Sequence, residues 1–387
     1  MNKPAGLSNF QMLATCPPGL ENVLSSELES IGIYGKKIVG GIEFHGDLLS
    51  LYTANLWSRV AGRILVRLGK FKLFSLNEAP EKFARFPWEL YLNRCRDIRV
   101  RATCHKSRIF HSGALCQRLV QGISKRLREP VNLVSHKEGE ELPLVMVRIV
   151  KNRCQISVDS SGAHLHKRGY KKFSVRAPLR ENLAAAMIIA SGWSGTCCLL
   201  DPFCGSGTVV MEAILMAASI PPGRRRKFAF MNWKNFDARL WNQLLWRSDR
   251  LFTQPKCQIL GIDRDPHAVE STLANLEHAG LSDFARITRG DILGTRRDTF
   301  PKTGQIVTNP PYGKRLRTNH SLVRLYSGFG QILRTTFRDW KVSVLCPTDA
   351  HVLRRAMNFP LRRSCTFSHG GIKVDLLTES WNKNPQF

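Results

Sequence analysis

Short apolar strand patterns alternate with helical patterns through the second half of the chain, and this alternation limits the possible folds more than any other feature. The strand-like runs are TCCLLDPF, QILGIDRD, ARITRGD and GQIVTNPPY. Strands that are apolar along their length and alternate with helices predict a parallel, doubly wound sheet. Ligands of such sheets bind beyond the carboxyl ends of the strands. We therefore expect an α/β fold with a site at that edge.

The first part of the chain has a different pattern. Before about residue 165, short mixed strand and helix segments predict small α+β units. The basic segment HLHKRGYKKFSVRAPLR follows them and has the composition of a loop. We predict four regions, 1–62, 63–162, a basic linker at 163–178, and the α/β domain at 179–387.

The chain is strongly basic. Lys and Arg total 58 against 30 Asp and Glu, a formal charge of +28 among 387 residues. Such an excess indicates a polyanionic partner, either nucleic acid or an anionic membrane. The apolar stretches are too short to span a bilayer and the first twenty residues lack a secretory core. We therefore expect a cytoplasmic protein that binds nucleic acid and no membrane.

The cysteine spacing indicates neither metal nor disulfide. None of the eleven cysteines lies in a CxxC pair, and no paired Cys/His ligand spacing occurs. Reduced, mostly buried thiols are the simpler interpretation in a cytosolic protein. We predict no metal and no disulfide.

A glycine-containing turn follows the first strand of the α/β domain. The segment LLDPFCGSGTVVMEA contains Asp201, Phe203, Gly205, Gly207 and Thr208. Small residues let the backbone approach a ligand, and the start of the next helix supplies free N–H groups. The turn is not a P-loop, because no Lys follows the last glycine. A structural turn remains the alternative for this motif alone.

Two further acids follow the next strands. Asp263 could accept both hydroxyls of a ribose, and Asp291 could accept from an adenine amino group. Each acid alone is more simply a solvated charge or a helix cap. Three successive strands ending in Asp, together with the glycine turn, predict a cofactor that contains adenosine.

The segment IVTNPPYGKRL favours S-adenosylmethionine over NAD. Asn309 offers a side-chain carbonyl and Pro310 a backbone carbonyl, both suited to the hydrogens of an exocyclic amine. Pro311 completes the turn, and Tyr312 offers a face on which an unpaired base can stack. Acceptors at the amine support the positive charge that develops as nitrogen attacks a methyl group. An ordinary proline turn is the alternative for this motif alone.

Several basic segments suit RNA. Lys and Arg mixed with Phe and Tyr neutralise phosphates and stack unpaired bases. A solvated charged face is the alternative for any one run. We also interpret PPGRRRKF as a phosphate contact. The predicted RNA-binding residues are Lys106, Arg108, Lys167, Arg168, Lys171, Lys172, Lys314 and Arg315.

These motifs together resemble a known family. DPFCGSGT with TNPPYGKRL resembles the class I S-adenosylmethionine-dependent amino-methyltransferases. LHKRGY, APLRENLAAA and IPPGRRRKFAFMNW are similar to the THUMP-containing RNA guanine-N2 methyltransferases of the bacterial 23S rRNA type. The resemblance implies a ferredoxin-like region at 1–62, a THUMP RNA-binding domain at 63–162 and a Rossmann-like methyltransferase domain. It also implies that the glycine turn and the three acids hold S-adenosylmethionine, and that Asn309 to Tyr312 hold the base. Lys314 departs from the resemblance, because relatives commonly carry an acid there.

The prediction that follows is methyl transfer to the N2 amine of a guanine in 23S ribosomal RNA, by a monomer, on free RNA or a precursor particle. Adenine-N6 methylation of nucleic acid and glutamine-N5 methylation of a protein remain open, because the NPPY turn suits any planar amine. A non-enzymatic RNA-binding assembly factor is the third alternative.

Overall fold

The computed structural model describes residues 9–92, 96–134, 141–173, 178–312 and 320–379. Within these ranges the chain forms one eight-stranded sheet followed by one seven-stranded sheet. No helix in them is both long enough and apolar enough to cross a membrane. The predicted RNA-binding residues Lys314 and Arg315 lie outside the described residues.

The first sheet is built from the N-terminal half of the chain and is mostly antiparallel. Its order is β2-β3-β1-β4-β8-β7-β5-β6, and only the pairs of β5 with β7 and with β6 are parallel. The strands are β1 (Phe10–Thr15), β2 (Gly35–Ile38), β3 (Gly41–Gly46), β4 (Arg63–Lys72), β5 (Asp97–His105), β6 (Asn132–Leu133), β7 (Leu144–Val150) and β8 (Arg153–Asp159). The helices are α1 (Glu21–Ser30), α2 (Leu48–Trp57), α3 (Ala79–Ala84), α4 (Trp88–Tyr91) and α5 (Ser112–Leu127).

Strand β4 joins two parts of this sheet. It pairs with β1 on one side and with β8 on the other, so residues before and after position 62 share one sheet. The sequence division into 1–62 and 63–162 begins its second region at Arg63, the first residue of β4. That division stays a prediction.

The second sheet is the doubly wound sheet that the sequence predicts. Its order is β11-β10-β9-β12-β13-β15-β14, with β14 and β15 as an antiparallel hairpin beside five parallel strands. The strands are β9 (Cys198–Asp201), β10 (Ile259–Asp263), β11 (Arg286–Arg289), β12 (Gly304–Thr308), β13 (Trp340–Pro347), β14 (Arg362–His369) and β15 (Ile372–Thr378). The α-helices are α6 (Glu181–Ala190), α7 (Thr208–Ala217), α8 (Ala238–Asp249), α9 (Pro266–Ala279), α10 (His320–Thr335) and α11 (His351–Met357). Single 3₁₀ turns lie at Ala229–Asn232, Ser282–Phe284, Ile292–Gly294 and Arg297–Thr299.

The strand order reverses at β9. This strand pairs with β10 on one side and with β12 on the other, and all three run parallel. The chain therefore winds outward in one direction through β10 and β11, then returns to place β12 beside β9. A crevice opens beyond the carboxyl ends of the strands at such a reversal. Asp201 ends β9 and Asn309 follows β12, so the two sequence motifs flank this crevice.

Local sequence explains why α9 begins and ends where it does. Asp265 accepts a hydrogen bond from the backbone N–H of His267, and Pro266 occupies the first turn. Gly280 then adopts a left-handed conformation at φ 67°, which ends the helix. Pro266–Ala279 is thus fixed directly after β10, and its amino end lies at the crevice.

Part of the predicted linker is packed rather than free. Residues 163–173 form no helix or strand, as expected of a loop, but Leu165 and Tyr170 are buried. Arg168 is 3% exposed, donates to the carbonyl of Leu165 at 2.6 Å and pairs with Glu212 at 3.3 Å. The prediction that Arg168 binds RNA is therefore wrong, because its guanidinium is buried and forms its hydrogen bonds and its ion pair within the protein.

The arginine run of PPGRRRKF is also engaged within the protein. Arg224 makes two bonds to Asp249, at 2.7 and 2.9 Å, and Arg225 donates to the last carbonyls of α9. Arg226 donates to the carbonyls of Ala163, His164 and Lys167. Burial lowers the pKa of Arg226 to about 10. The interpretation of this run as a phosphate contact is wrong for Arg226, which holds the linker segment in place.

Candidate functional site

A cleft of about 440 Å³ lies at the carboxyl edge of the second sheet. Its walls come from the segments that follow β9, β10, β11 and β12, together with the tip of the β14–β15 hairpin. The predicted site residues that line it are Asp201, Phe203, Gly205, Thr208, Asp263, Asp291, Asn309, Pro310, Pro311 and Tyr312. One cavity thus collects ten residues that the sequence assigned to a cofactor and a base.

Asp201 connects the two strands that flank the crevice. Its carboxylate accepts from the hydroxyl of Thr308 at the end of β12, at 2.7 Å, and from the N–H of Phe203 at 3.2 Å. The pKa of Asp201 is raised to about 7, mainly by burial and to a smaller extent by the nearby Asp263, while these hydrogen bonds oppose the rise. Its main contact in the structure is therefore a bridge between strand ends, which fixes the relative position of the two motifs.

The glycine turn is held by bonds to β10 and α9. Gly205 donates its N–H to Asp263 at 2.9 Å, and its carbonyl accepts from the hydroxyl of Thr272 at 2.7 Å. Gly207 has a φ of 79°, and a Cβ placed there would lie 2.6 Å from Thr272 Cγ2. Gly207 is not among the cleft-lining residues, so glycine is required at this position by the backbone conformation rather than by contact with a ligand. Both glycines are needed because the turn passes close to α9 with left-handed backbone.

Asp263 and Asp291 lie in the cleft wall one strand apart. The carboxylate of Asp263 accepts from the N–H of Gly205 and from the N–H of Asp265 at 3.0 Å. Asp291 accepts from the N–H of Leu293 at 3.0 Å, as the cap of a 3₁₀ turn. The cap interpretation is therefore met for Asp291. Since a carboxylate oxygen accepts more than one hydrogen bond, both side chains retain acceptor capacity toward the cleft.

Thr208 begins α7 and meets one of the predicted RNA-binding lysines. The ammonium of Lys171 donates to the Thr208 hydroxyl at 2.8 Å. Burial lowers the pKa of Lys171, while Glu181 and Glu212 favour its charged form. Lys171 is therefore half-buried against the start of α7 rather than fully exposed on the outer surface. The amide of Asn275 accepts from the backbone N–H of Lys172, so α9 also holds this segment.

Asn309 carries a buried acceptor with no partner. Its side-chain carbonyl oxygen Oδ1 is inaccessible to solvent and makes no hydrogen bond within the described part of the chain. A buried polar atom without a partner costs about 1 to 3 kcal/mol, so such atoms mark places where a ligand can bond. Pro310 is buried and Pro311 exposed beside it. Tyr312 packs against the core, and burial raises the pKa of its hydroxyl.

His369 also lines this cleft, and the sequence analysis did not identify it. It ends β14, and its Nδ1 is buried without a hydrogen-bond partner among the described residues. Burial lowers the pKa of His369, and the charge of Arg180 adds to the effect. The SHGG sequence is typical of a hairpin tip and gave no signal that the hairpin reaches the site.

The other predicted RNA-binding residues lie at separate places. Lys106 and Arg108 are exposed beyond the end of β5, and the guanidinium of Arg108 stacks on Phe74 at 5.5 Å. Lys167 and Lys172 are exposed on the linker segment.

No group of three or more His, Cys, Asp or Glu among the described residues could hold a metal ion.

Comparison with known proteins identifies relatives of both halves. A family model described as RMKL-like, methyltransferase domain matches residues 168–370, and one for the RlmL ferredoxin-like domain matches residues 11–65. Two relatives named ribosomal RNA large subunit methyltransferase K/L come from Marinomonas sp. (strain MWYL1) and Cellvibrio japonicus (strain Ueda107). The first is 33% identical over 94% of this chain and 52% of its own length, the second 34% over 96% and 51%. The chain spans about half the length of these relatives.

Solved structures match nearly the whole chain. SMU.472, a methyltransferase complexed with SAH, has 26% identity and a TM-score of 0.84, covering 97% of this chain and 99% of that one. A protein from Listeria monocytogenes described as an N6-adenine-specific DNA methylase has 28% identity and a TM-score of 0.82, covering 95% and 96%. The predicted α/β fold with a ferredoxin-like N-terminal region is confirmed.

Proposed function

Because the chain belongs to the RMKL-like methyltransferase domain family, we propose that it transfers a methyl group from S-adenosylmethionine to the N2 amine of a guanine in 23S ribosomal RNA. The observation that carries this proposal is the buried, unpartnered Oδ1 of Asn309, which lines the same cleft as Asp201, Asp263 and Asp291. The relatives' names supply the substrate class, and the basic charge of +28 suits an RNA.

The cofactor would lie along the carboxyl ends of β9, β10 and β11. The residues fit it, since the turn at Gly205 permits close approach and Asp263 and Asp291 offer acceptors in the cleft wall. Asp263 suits the ribose hydroxyls and Asp291 the adenine amino group. S-adenosylmethionine, when bound, supplies an electrophilic methyl group on a sulfonium centre. The β9–β12 bridge from Asp201 to Thr308 holds this half of the cleft beside Asn309.

Asn309 and Pro310 would hold the amine. The Asn309 Oδ1 accepts one N–H and the Pro310 carbonyl the other, which fixes the nitrogen and stabilises its developing positive charge. Holding nitrogen near its electrophile supplies much of the acceleration. No covalent intermediate is needed, because the proton can leave nitrogen after attack. Tyr312 would pack against the base, and His369, whose Nδ1 has no hydrogen-bond partner among the described residues, lines the same cleft.

The central test replaces Asn309. We expect Asn309→Ala to abolish methyl transfer to 23S rRNA while calorimetry shows unchanged S-adenosylmethionine binding, because Asn309 is assigned to the amine and not to the cofactor. Asn242→Ala, an exposed asparagine on α8, is the matched control and should retain wild-type turnover. An Asn309→Ala variant with most of its wild-type turnover would refute the assignment.

Adenine-N6 methylation is the second candidate. It is favoured by the 28% identity to the Listeria protein described as an adenine-specific DNA methylase, and by the suitability of the NPPY turn for any planar amine. Mass spectrometry of nucleosides from rRNA reacted with the protein distinguishes the two, since N2-methylguanosine and N6-methyladenosine differ in mass. We also propose that the protein acts in the cytoplasm, on free RNA or a precursor particle.

A further inference from the structure

One face of the first sheet is partly uncovered and basic. Across β5, β7, β8 and β4, paired residues form three rows on this face: Arg101–Met146–Ser157–Arg67, Thr103–Arg148–Gln155–Lys70, and His105–Val150–Arg153–Lys72. The opposite face carries Val147, Ile149, Cys154 and Ile156, which are fully or almost fully buried. Helix α5 packs against β5 and helix α3 packs against α5, and both share the core of that opposite face. The three rows therefore lie on the side of the sheet that these helices leave open.

Five cations stand on these rows with no carboxylate to neutralise them. Arg101, Arg148, Arg153, Lys70 and Lys72 are exposed, and none of their side chains has an ion-pair partner in the ranges that the structure describes. Arg67 differs, because it pairs with Glu43 at 2.7 Å. We call the five exposed cations and their rows the basic sheet face.

The basic sheet face continues into the domain junction. The next row toward the catalytic domain contains Arg99, Asp159 and Leu65, all buried, and Asp159 pairs with Arg63. The adjoining Ser160 accepts from the N–H of Phe230 in the catalytic half. The open face thus begins where the two halves meet. Lys106 and Arg108 lie just beyond its far end.

The chemistry of the face fits a phosphate backbone. Neighbouring strands lie about 4.8 Å apart, so the five cations are spread over about 14 Å across four strands. Like charges at this density repel one another and are stabilised by a polyanion. The rows carry no Phe, Tyr or Trp, so they offer little surface for base stacking or for insertion into a membrane. Contacts to phosphate carry no sequence information and serve to position the RNA.

We infer that the basic sheet face binds the sugar-phosphate backbone of the RNA whose base enters the cleft, a role that rests on the proposed function. Selection of the nucleotide then occurs at the cleft, and the sheet face sets how firmly the surrounding RNA is held. Loss of the face should raise KM for RNA and leave kcat nearly unchanged.

The test neutralises three of the five cations in the full chain: Lys70→Gln, Arg148→Gln and Arg153→Gln. Each lost phosphate contact lowers the slope of log K against log salt by about 0.7 to 0.9, so the slope should fall by about 2 to 3 for the triple variant. The control removes three exposed cations of the catalytic half, Arg239→Gln, Arg247→Gln and Lys256→Gln, which carry the same total charge. Its slope should match the wild type.

The readouts separate this inference from the proposed function. Binding to transcribed 23S rRNA is measured from 50 to 200 mM salt, and methyl transfer gives kcat and KM. Urea unfolding of each variant confirms that it is folded. If the triple variant and the wild type show equal salt slopes and equal KM, the inference that the basic sheet face binds RNA is overturned, while the proposed enzyme activity is unaffected. A wild-type protein that binds this RNA with the expected slope but transfers no methyl group refutes the proposed function alone.

Discussion

Gly207→Ala is expected to damage both stability and cofactor binding, because two separate penalties act at this position. The left-handed φ of 79° costs an alanine about 1 to 2 kcal/mol. The added Cβ would lie 2.6 Å from Thr272 Cγ2 and 3.1 Å from its Oγ1. Thr272 is fully buried and its hydroxyl bonds the Gly205 carbonyl at 2.7 Å, so it cannot turn aside without breaking that bond. Overpacking of this kind costs about 1 to 3 kcal/mol, which gives a total of about 2 to 5 kcal/mol.

Gly192→Ala is the matched control. Gly192 has a similar φ of 73° at the end of α6, but nothing lies within 4 Å of an added Cβ. It should therefore show the conformational penalty of about 1 to 2 kcal/mol without the steric one. Any gain from restricting the unfolded chain is the same for both substitutions and cancels in the comparison.

Urea unfolding and calorimetry check the pair. Gly207→Ala should lose more stability than Gly192→Ala, and its affinity for S-adenosylmethionine should fall about tenfold as the loss of one hydrogen bond moves the turn. Gly192→Ala should bind the cofactor as the wild type does. Equal losses of stability in the two variants, with cofactor affinity unchanged in both, would refute the reasoning.

Two further predictions concern buried charges. Burial raises the pKa of Asp201 to about 7, above its unfolded value, so the contribution of this carboxyl to stability is largest below about pH 4 and is lost as pH rises to 7. Urea unfolding from pH 4 to 8 should show that the stability of the wild type falls relative to that of Asp201→Asn, by at most about 1.4 kcal/mol per pH unit. A stability difference between the two proteins that does not change with pH would contradict the raised pKa of Asp201. Arg168→Met should cost about 3 to 5 kcal/mol because it strands the fully buried Glu212. A second change, Glu212→Leu, should recover most of that loss, and the exposed Lys227→Met should cost under about 0.5 kcal/mol.

The sequence predicted the second sheet well because short-range patterns determine it. The alternation of apolar strands with helices is a local signal and agrees with the structure; the Asp265–Pro266 start of α9 and its Gly280 end, observed in the structure, are local features of the same kind. The carboxyl ends of parallel strands meet at one edge, so the sequence alone was enough to assign Asp201, Asp263 and Asn309 to one cavity.

Long-range contacts explain what the sequence did not predict. Nothing local distinguishes Arg168, which is buried against Glu212, from the exposed Lys167 beside it. His369 belongs to the cleft only because a hairpin more than fifty residues after Asn309 folds back to it. The basic sheet face is likewise divided among four strands, so no run of the sequence displays it.

The junction segment at 163–173 has a consequence for how halves of such proteins could be exchanged. Arg168 bonds the Arg59 carbonyl in the N-terminal half and Glu212 on α7, while Lys171 bonds Thr208, the first residue of α7. A chimera that joins this N-terminal half and the segment to a foreign catalytic domain would keep Arg168 but lose Glu212, so the Arg168 charge would be buried without its ion-pair partner. A chimera should therefore be stable only if the segment at 163–173 is kept together with both surfaces that it contacts, the N-terminal half at Arg59 and helix α7.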